Sequence, residues 1–105
     1  MSSFDEREQT FERKYQNDQE FAFKLKSRRN KIAGRWAAAM LGKEGKEADA
    51  YVAGIVDAEL GKLGEANVIA KLTSDLAEKG IDRHRVAAEL EKALQQAKTE
   101  LGAAR

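Results

Sequence analysis

The stretch NDQEFAFKLKSRRNKIAGRWAAAMLG, residues 17–42, decides the fold. Asn17 followed three residues later by Glu20 makes a capping box, in which two free backbone N–H groups at a helix start are satisfied by side chains. Phe21, Leu25, Ile32, Trp36 and Ala39 then recur at helical spacing, and Gly42 with Gly45 supplies the stop. The pattern predicts a first helix from about Gln19 to Leu41 with those five residues as its apolar face. Phe23 falls on roughly the opposite side, as a second-face core residue or as part of a docking surface.

Three shorter helices follow outward from this one. A second is predicted from about Glu47 to Leu60, burying Ala48, Tyr51, Val52 and Ile55, with Gly61 and Gly64 bracketing the next turn. A third, about Glu65 to Lys79, offers Val68, Ile69, Leu72 and Leu76 and stops at Gly80. Asp82 then caps a fourth, with Ile81 and Val86 placed as a hydrophobic staple. Its apolar line continues through Leu90, Leu94, Ala97 and Leu101. Short turns between amphipathic helices argue for an antiparallel bundle. No strand pattern and no internal repeat competes, so the expected fold is all-α, a four-helix bundle over 18–105 with a flexible N-terminal segment.

Composition agrees. The chain has 105 residues, 35% of them charged, with no proline and no cysteine. That length allows one small domain, and the absence of cysteine rules out disulfides and thiolate chemistry. No apolar run reaches membrane-spanning length, and the N-terminus opens into acidic residues, so a soluble, cytoplasmic protein with no membrane insertion is expected. The net charge of +1 hides blocks of opposite sign. Residues 1–20 hold six acids against three bases, residues 21–46 eight bases against one acid, and residues 47–80 seven acids against three bases. Such blocks suit complementary packing or docking on a patterned partner.

The N-terminal SFDEREQTFERKYQND, residues 3–18, holds Phe4, Phe11 and Tyr15 in a highly charged setting. Helical geometry would align the three within about 40° of one another. That stripe sits about 80° around from the apolar face expected of the first helix, so it does not extend the same seam. Ser3 and Glu6 form a capping box of their own. A helix of this length is marginal alone in water, and the segment is therefore expected to be disordered when free and helical when bound.

Catalysis has little to work with. His84, the single histidine, is flanked by Arg83 and Arg85 and has no nucleophile motif near it, so it reads as a structural or surface residue. One histidine without cysteine is a poor start for a metal site, and phosphate-loop and dinucleotide patterns are absent. No enzyme activity, cofactor or metal is expected. Lys24, Lys26, Arg28, Arg29, Lys31 and Arg35 beside Trp36 make the best case for nucleic acid. Arg28 and Arg35 flank the apolar face, however, and should snorkel or pair with the acidic block at 47–80, while Trp36 reads as packing. An interaction or nucleic-acid adaptor using this basic face, with weak nucleotide binding as an extension, is the alternative.

At SFDEREQTFERKYQND, and again at SRRNKIAGRWAA (residues 27–38), the chain resembles the ζ-subunit family of the alphaproteobacterial F1-ATPase, natural inhibitors of ATP hydrolysis. The resemblance implies a four-helix bundle and an N-terminal inhibitory segment, residues 1–17. That segment would enter a catalytic αβ interface, become helical, reach towards γ and block rotation. Partners would thus be the α, β and γ subunits, at the membrane-attached F1 sector. Carried onto this chain, Phe4, Phe11 and Tyr15 would fill apolar pockets, and Arg7, Glu8, Glu12, Arg13 and Lys14 would supply polar contacts. Arg28, Arg29, Asn30, Lys31 and Trp36 would serve docking or structural roles. Residues 61–64 read Gly-Lys-Leu-Gly where relatives often carry an acidic, proline-containing turn.

Overall fold

The structure is a computed structural model that describes residues 2–61 and 63–103, with side chains described over 19–61 and 63–102. Four helices follow one another: α1 (Ser2–Met40), α2 (Gly45–Ala58), α3 (Glu65–Leu76) and α4 (Arg83–Ala103), with a 3₁₀ turn at Ala77–Lys79. α1 packs on both α2 and α4, α2 on α3, and α3 on α4. Consecutive antiparallel neighbours with α4 closing back on α1 make an up-down four-helix bundle.

The helix ends follow glycine chemistry. At the end of α1, Gly42 adopts φ +74°, Gly42 N–H donates to the Ala39 carbonyl (3.1 Å) and Lys43 N–H to that of Ala38 (2.9 Å). These paired bonds are a Schellman stop. Gly80 at φ +73° repeats it, with Ile81 N–H reaching back to the Leu76 carbonyl. Ile81 and Leu76 both lie in the core, which is the apolar contact that accompanies such a stop. Asp82 then accepts from Arg85 N–H at 2.9 Å, and Ile81 and Val86 are buried together, so the cap and staple expected at the entry to α4 are both present.

Two expectations about α1 are corrected. The helix does not start afresh near Gln19; it runs unbroken from Ser2 through Asn17 and Glu20 to Met40. No proline interrupts it, the first glycine is Gly34, and an asparagine inside a helix costs only a few tenths of a kcal/mol, about 0.7 at most. A capping signal permits a helix start without enforcing one.

The buried face also differs. Arg29, Asn30, Ala33, Gly34, Ala37 and Ala38 are the buried positions among the described side chains of α1. Their centre lies about 155° around the helix from the Phe21–Leu25–Ile32–Ala39 line. Ala39 is exposed, while Ile32 and Trp36 pack half-buried against the edge of the core. Close approach explains the choice. A Cβ on Gly34 would stand 3.2 Å from the Val52 Cα of α2, so the two backbones nearly touch and only small side chains fit between them. The bulk of the core comes instead from Ile55, Val68, Leu72, Leu76, Ile81, Val86 and Leu90 on the other elements. Burying each such side chain contributes roughly 1.5–3 kcal/mol. Among the described residues no apolar side chain of α1 before Ile32 packs in this core.

Candidate functional site

Phe4, Arg7, Glu8, Phe11, Glu12, Arg13, Lys14 and Tyr15 lie on the first part of α1, and their side chains fall outside the described residues. Arg28, Arg29, Asn30, Lys31 and Trp36 lie further along the same helix, where side chains are described, and the structure gives them different surroundings.

Arg29 is inside the bundle, 5% exposed, and Asn30 is fully buried. A guanidinium taken from water costs several kcal/mol unless its donors are met. Here the Arg29 Nη2 donates to Glu59 Oε1 at 2.5 Å, its Nε to Asn30 Oδ1 at 3.0 Å, and its Nη1 faces Glu65 Oε1 at 3.4 Å. The Asn30 amide donates to the same Glu59 oxygen at 3.3 Å. Two adjacent polar residues of α1 therefore clamp the turn between α2 and α3. The turn is closed further by the Asn67 amide donating to the Ala58 carbonyl at 3.3 Å.

Arg28 turns the other way. Its Nε donates to Glu100 Oε2 on α4 at 2.6 Å. That bond, with a second from Gln96, holds the exposed Glu100 carboxyl below the usual carboxylate range. Arg28 thus pairs outside the acidic 47–80 block, which receives Arg29 through Glu59 and Glu65. Lys24, Arg28, Lys31 and Arg35, spaced four, three and four apart, form a cationic stripe along one side of α1. Between α1 and α2, Arg28, Lys31 and Arg35 face Asp49 and Asp57 across a groove floored by Val52, Ala53 and Val56.

Trp36 is half-buried against the core, with the Arg85 guanidinium 5.9 Å from its ring centre, a packing position. His84 is exposed in the first turn of α4. Phe23, 63% exposed, is not a second-face core residue, which leaves the docking-surface alternative.

Sequence reasoning missed the partners Glu59, Glu65 and Glu100, which come from other helices and turns. The signal for Arg29 was its place one turn before Ala33, in phase with the small residues. A second polar cluster stands at the opposite end. Tyr51 donates to Asp75 at 2.8 Å, Lys71 reaches the same carboxylate at 3.2 Å, and the Lys71 and Lys43 ammonium groups lie 5.4 and 5.8 Å from the Tyr51 ring centre. Burial first, then the Asp75 bond and charge, push the Tyr51 phenol well above its usual range. Among the described residues no three His, Asp or Glu side chains gather to hold a metal, and no helix is long and apolar enough to cross a membrane.

The chain is a small all-α bundle in which one helix far outruns its three partners. The chain belongs to the ATPase inhibitor subunit zeta family, whose model matches residues 1–100. It is thus a regulatory subunit that inhibits an ATPase. No curated protein and no solved structure gives a significant match.

Proposed function

We propose that residues 1–17 are an inhibitory segment that inserts, as a helix, into a catalytic αβ interface of the F1-ATPase, reaches towards γ and blocks rotation in the direction of hydrolysis. Phe4, Phe11 and Tyr15 fill apolar pockets there, and Arg7, Glu8, Glu12, Arg13 and Lys14 make the polar contacts. The protein acts at the membrane-attached F1 sector, on its cytoplasmic side. It carries out no chemistry of its own.

The observation that carries this proposal is the uneven use of α1. It spans Ser2–Met40, yet among the described residues its apolar contribution to the core begins at Ile32. A helix anchored at its C-terminal end and running on beyond the bundle is suited to reach into another protein. Family membership supplies the target class, an ATPase. The experiment is ATP hydrolysis by F1 with the wild type and with the Phe11→Ala, Tyr15→Ala double variant. Inhibition should weaken at least about tenfold, because two buried aromatic anchors are lost. Unchanged inhibition sinks the assignment of the stripe.

The cationic stripe favours a second reading, an anionic ligand such as a nucleotide or nucleic acid held along Lys24, Arg28, Lys31 and Arg35. Against nucleic acid, Arg29 is buried and Arg28 is engaged with Glu100, which leaves fewer free cations than the sequence counts. Binding that falls steeply with salt would favour it.

A further inference from the structure

Three of the four large apolar side chains exposed among the described residues stand at one end of the bundle: Phe23 at 63%, Leu60 at 68% and Leu63 at 70% exposed. The Arg29–Glu59 and Arg29–Glu65 pairs and the Asn30–Glu59 bond hold the α2–α3 turn, which carries Leu60 and Leu63, level with residues 29–30 of α1. Phe23 precedes Asn30 by seven residues. It therefore lies about 10 Å further along α1 and within about 20° of the same side. The line that faces the core at Asn30, Gly34 and Ala37 continues past the turn and emerges uncovered at Phe23. Leu101, near the end of α4, lines a groove with Phe23 and Lys24. Lys24 and Lys26 are exposed here, and neither is in an ion pair among the described residues.

Single exposed apolar residues are ordinary, but several sharing one end of a bundle mark a contact surface. We infer that Phe23, Leu60 and Leu63, with Lys24 and Lys26 beside them, dock on the ATPase itself, on a surface that is apolar at its centre and acidic around it. This rests on the proposed function. Phe23 follows Tyr15 by eight residues, about 12 Å along one continuous helix. A partner that grips residues 1–17 is thereby brought against this end of the bundle and not the other. The complement it must offer is set by the residues: an apolar hollow for Phe23 and the two leucines, and carboxylates for the lysines. Two linked contacts on one rigid helix raise the effective concentration of each for its site.

The test uses the full chain and the purified ATPase, with binding and hydrolysis read separately. The Phe23→Ser, Leu63→Ser variant should keep the wild-type melting temperature, because both side chains are exposed, and should bind about tenfold more weakly. The Lys24→Glu, Lys26→Glu variant should also bind more weakly, and less so at high salt. Binding of the apolar variant within about twofold of wild type overturns the end-face contact. A wild type that self-associates in sedimentation, and becomes monomeric with Phe23→Ser and Leu63→Ser, overturns it too, since a second copy then covers the face. Wild-type binding without inhibition, weakened by the end-face variant, removes the inhibitory segment and leaves this docking surface standing. Absence of any binding removes both.

Discussion

Arg29 is the residue on which the bundle most depends for its polar order. It brings a full positive charge to a site 5% exposed, where Glu59 is the principal counter-charge and Asn30 holds the guanidinium flat. Removing one member of a buried pair strands the other. Arg29→Ala should cost about 3 kcal/mol in urea unfolding, the low end of the usual range because the Glu59 side chain keeps some contact with water. A loss under about 1 kcal/mol would show the clamp to be incidental. The exposed partner Glu65 should matter far less, so Glu65→Ala should shift stability by well under about 1 kcal/mol. None of these partners was legible from the chain alone, because an ion pair depends on which turn is folded against which helix. Its phase was legible: Arg29 falls one turn before Ala33, on the side lined by small residues.

At the scale of the helices, closeness of approach decides more than apolarity. Gly34→Ala places a Cβ 3.2 Å from the Val52 Cα, and a backbone atom in a helix cannot swing aside. Overpacking of about 1–3 kcal/mol should outweigh the gain in helix propensity of about 1 kcal/mol, so thermal stability falls. Gly102→Ala in α4 meets nothing within 4 Å and should leave stability unchanged or slightly raised, which makes it the control. The helices α3 and α4 were readable almost residue by residue, whereas on α2 only Ile55 of the four residues expected inside is fully buried, with Ala48, Tyr51 and Val52 half-buried. Val68, Leu72 and Leu76 on α3, and Val86, Leu90 and Ala97 on α4, are buried as their spacing predicts. α1 was not, because its largest apolar residues draw the eye to the wrong side. A helix wedged between two others needs small residues where they meet, and its larger ones are pushed to the margins.

The α1–α4 contact gives a pH signature at this same scale. The Arg28 bond, then that from Gln96, lower the Glu100 pKa. A lowered carboxyl pKa means that the contact's stabilisation is present above the usual carboxylate range and is lost as pH falls through the lowered value. In an NMR titration, Arg28→Ala should move the Glu100 midpoint upward, back towards ordinary carboxylates. An unmoved midpoint would separate the shift from the ion pair.

For the whole molecule, the bundle and the N-terminal part of α1 should be separable. Since no described apolar residue before Ile32 packs in the core, and the buried Arg29 and Asn30 lie beyond the deletion, deleting residues 2–18 should leave the melting temperature within about 2 °C. The same deletion should abolish inhibition of ATP hydrolysis. A large drop in melting temperature would show that those residues support the bundle, contrary to their proposed role. Control of the segment by its own histidine is unavailable, because His84 is the only histidine and lies on α4. A sharp switch of inhibition between about pH 6 and 8 would have to originate outside that segment.

By itself the sequence determined that the protein is all-α, where three of its helices stop and how α4 is capped. These are local properties, set by glycine at positive φ, by caps within a few residues, and by periodicity along one helix. Only the tertiary structure decided which face of α1 is buried, that Arg29 and Asn30 clamp the α2–α3 turn, and that Phe23, Leu60 and Leu63 share an exposed end. Each of those depends on the distance between elements remote in sequence, and no pattern along a single helix carries that distance.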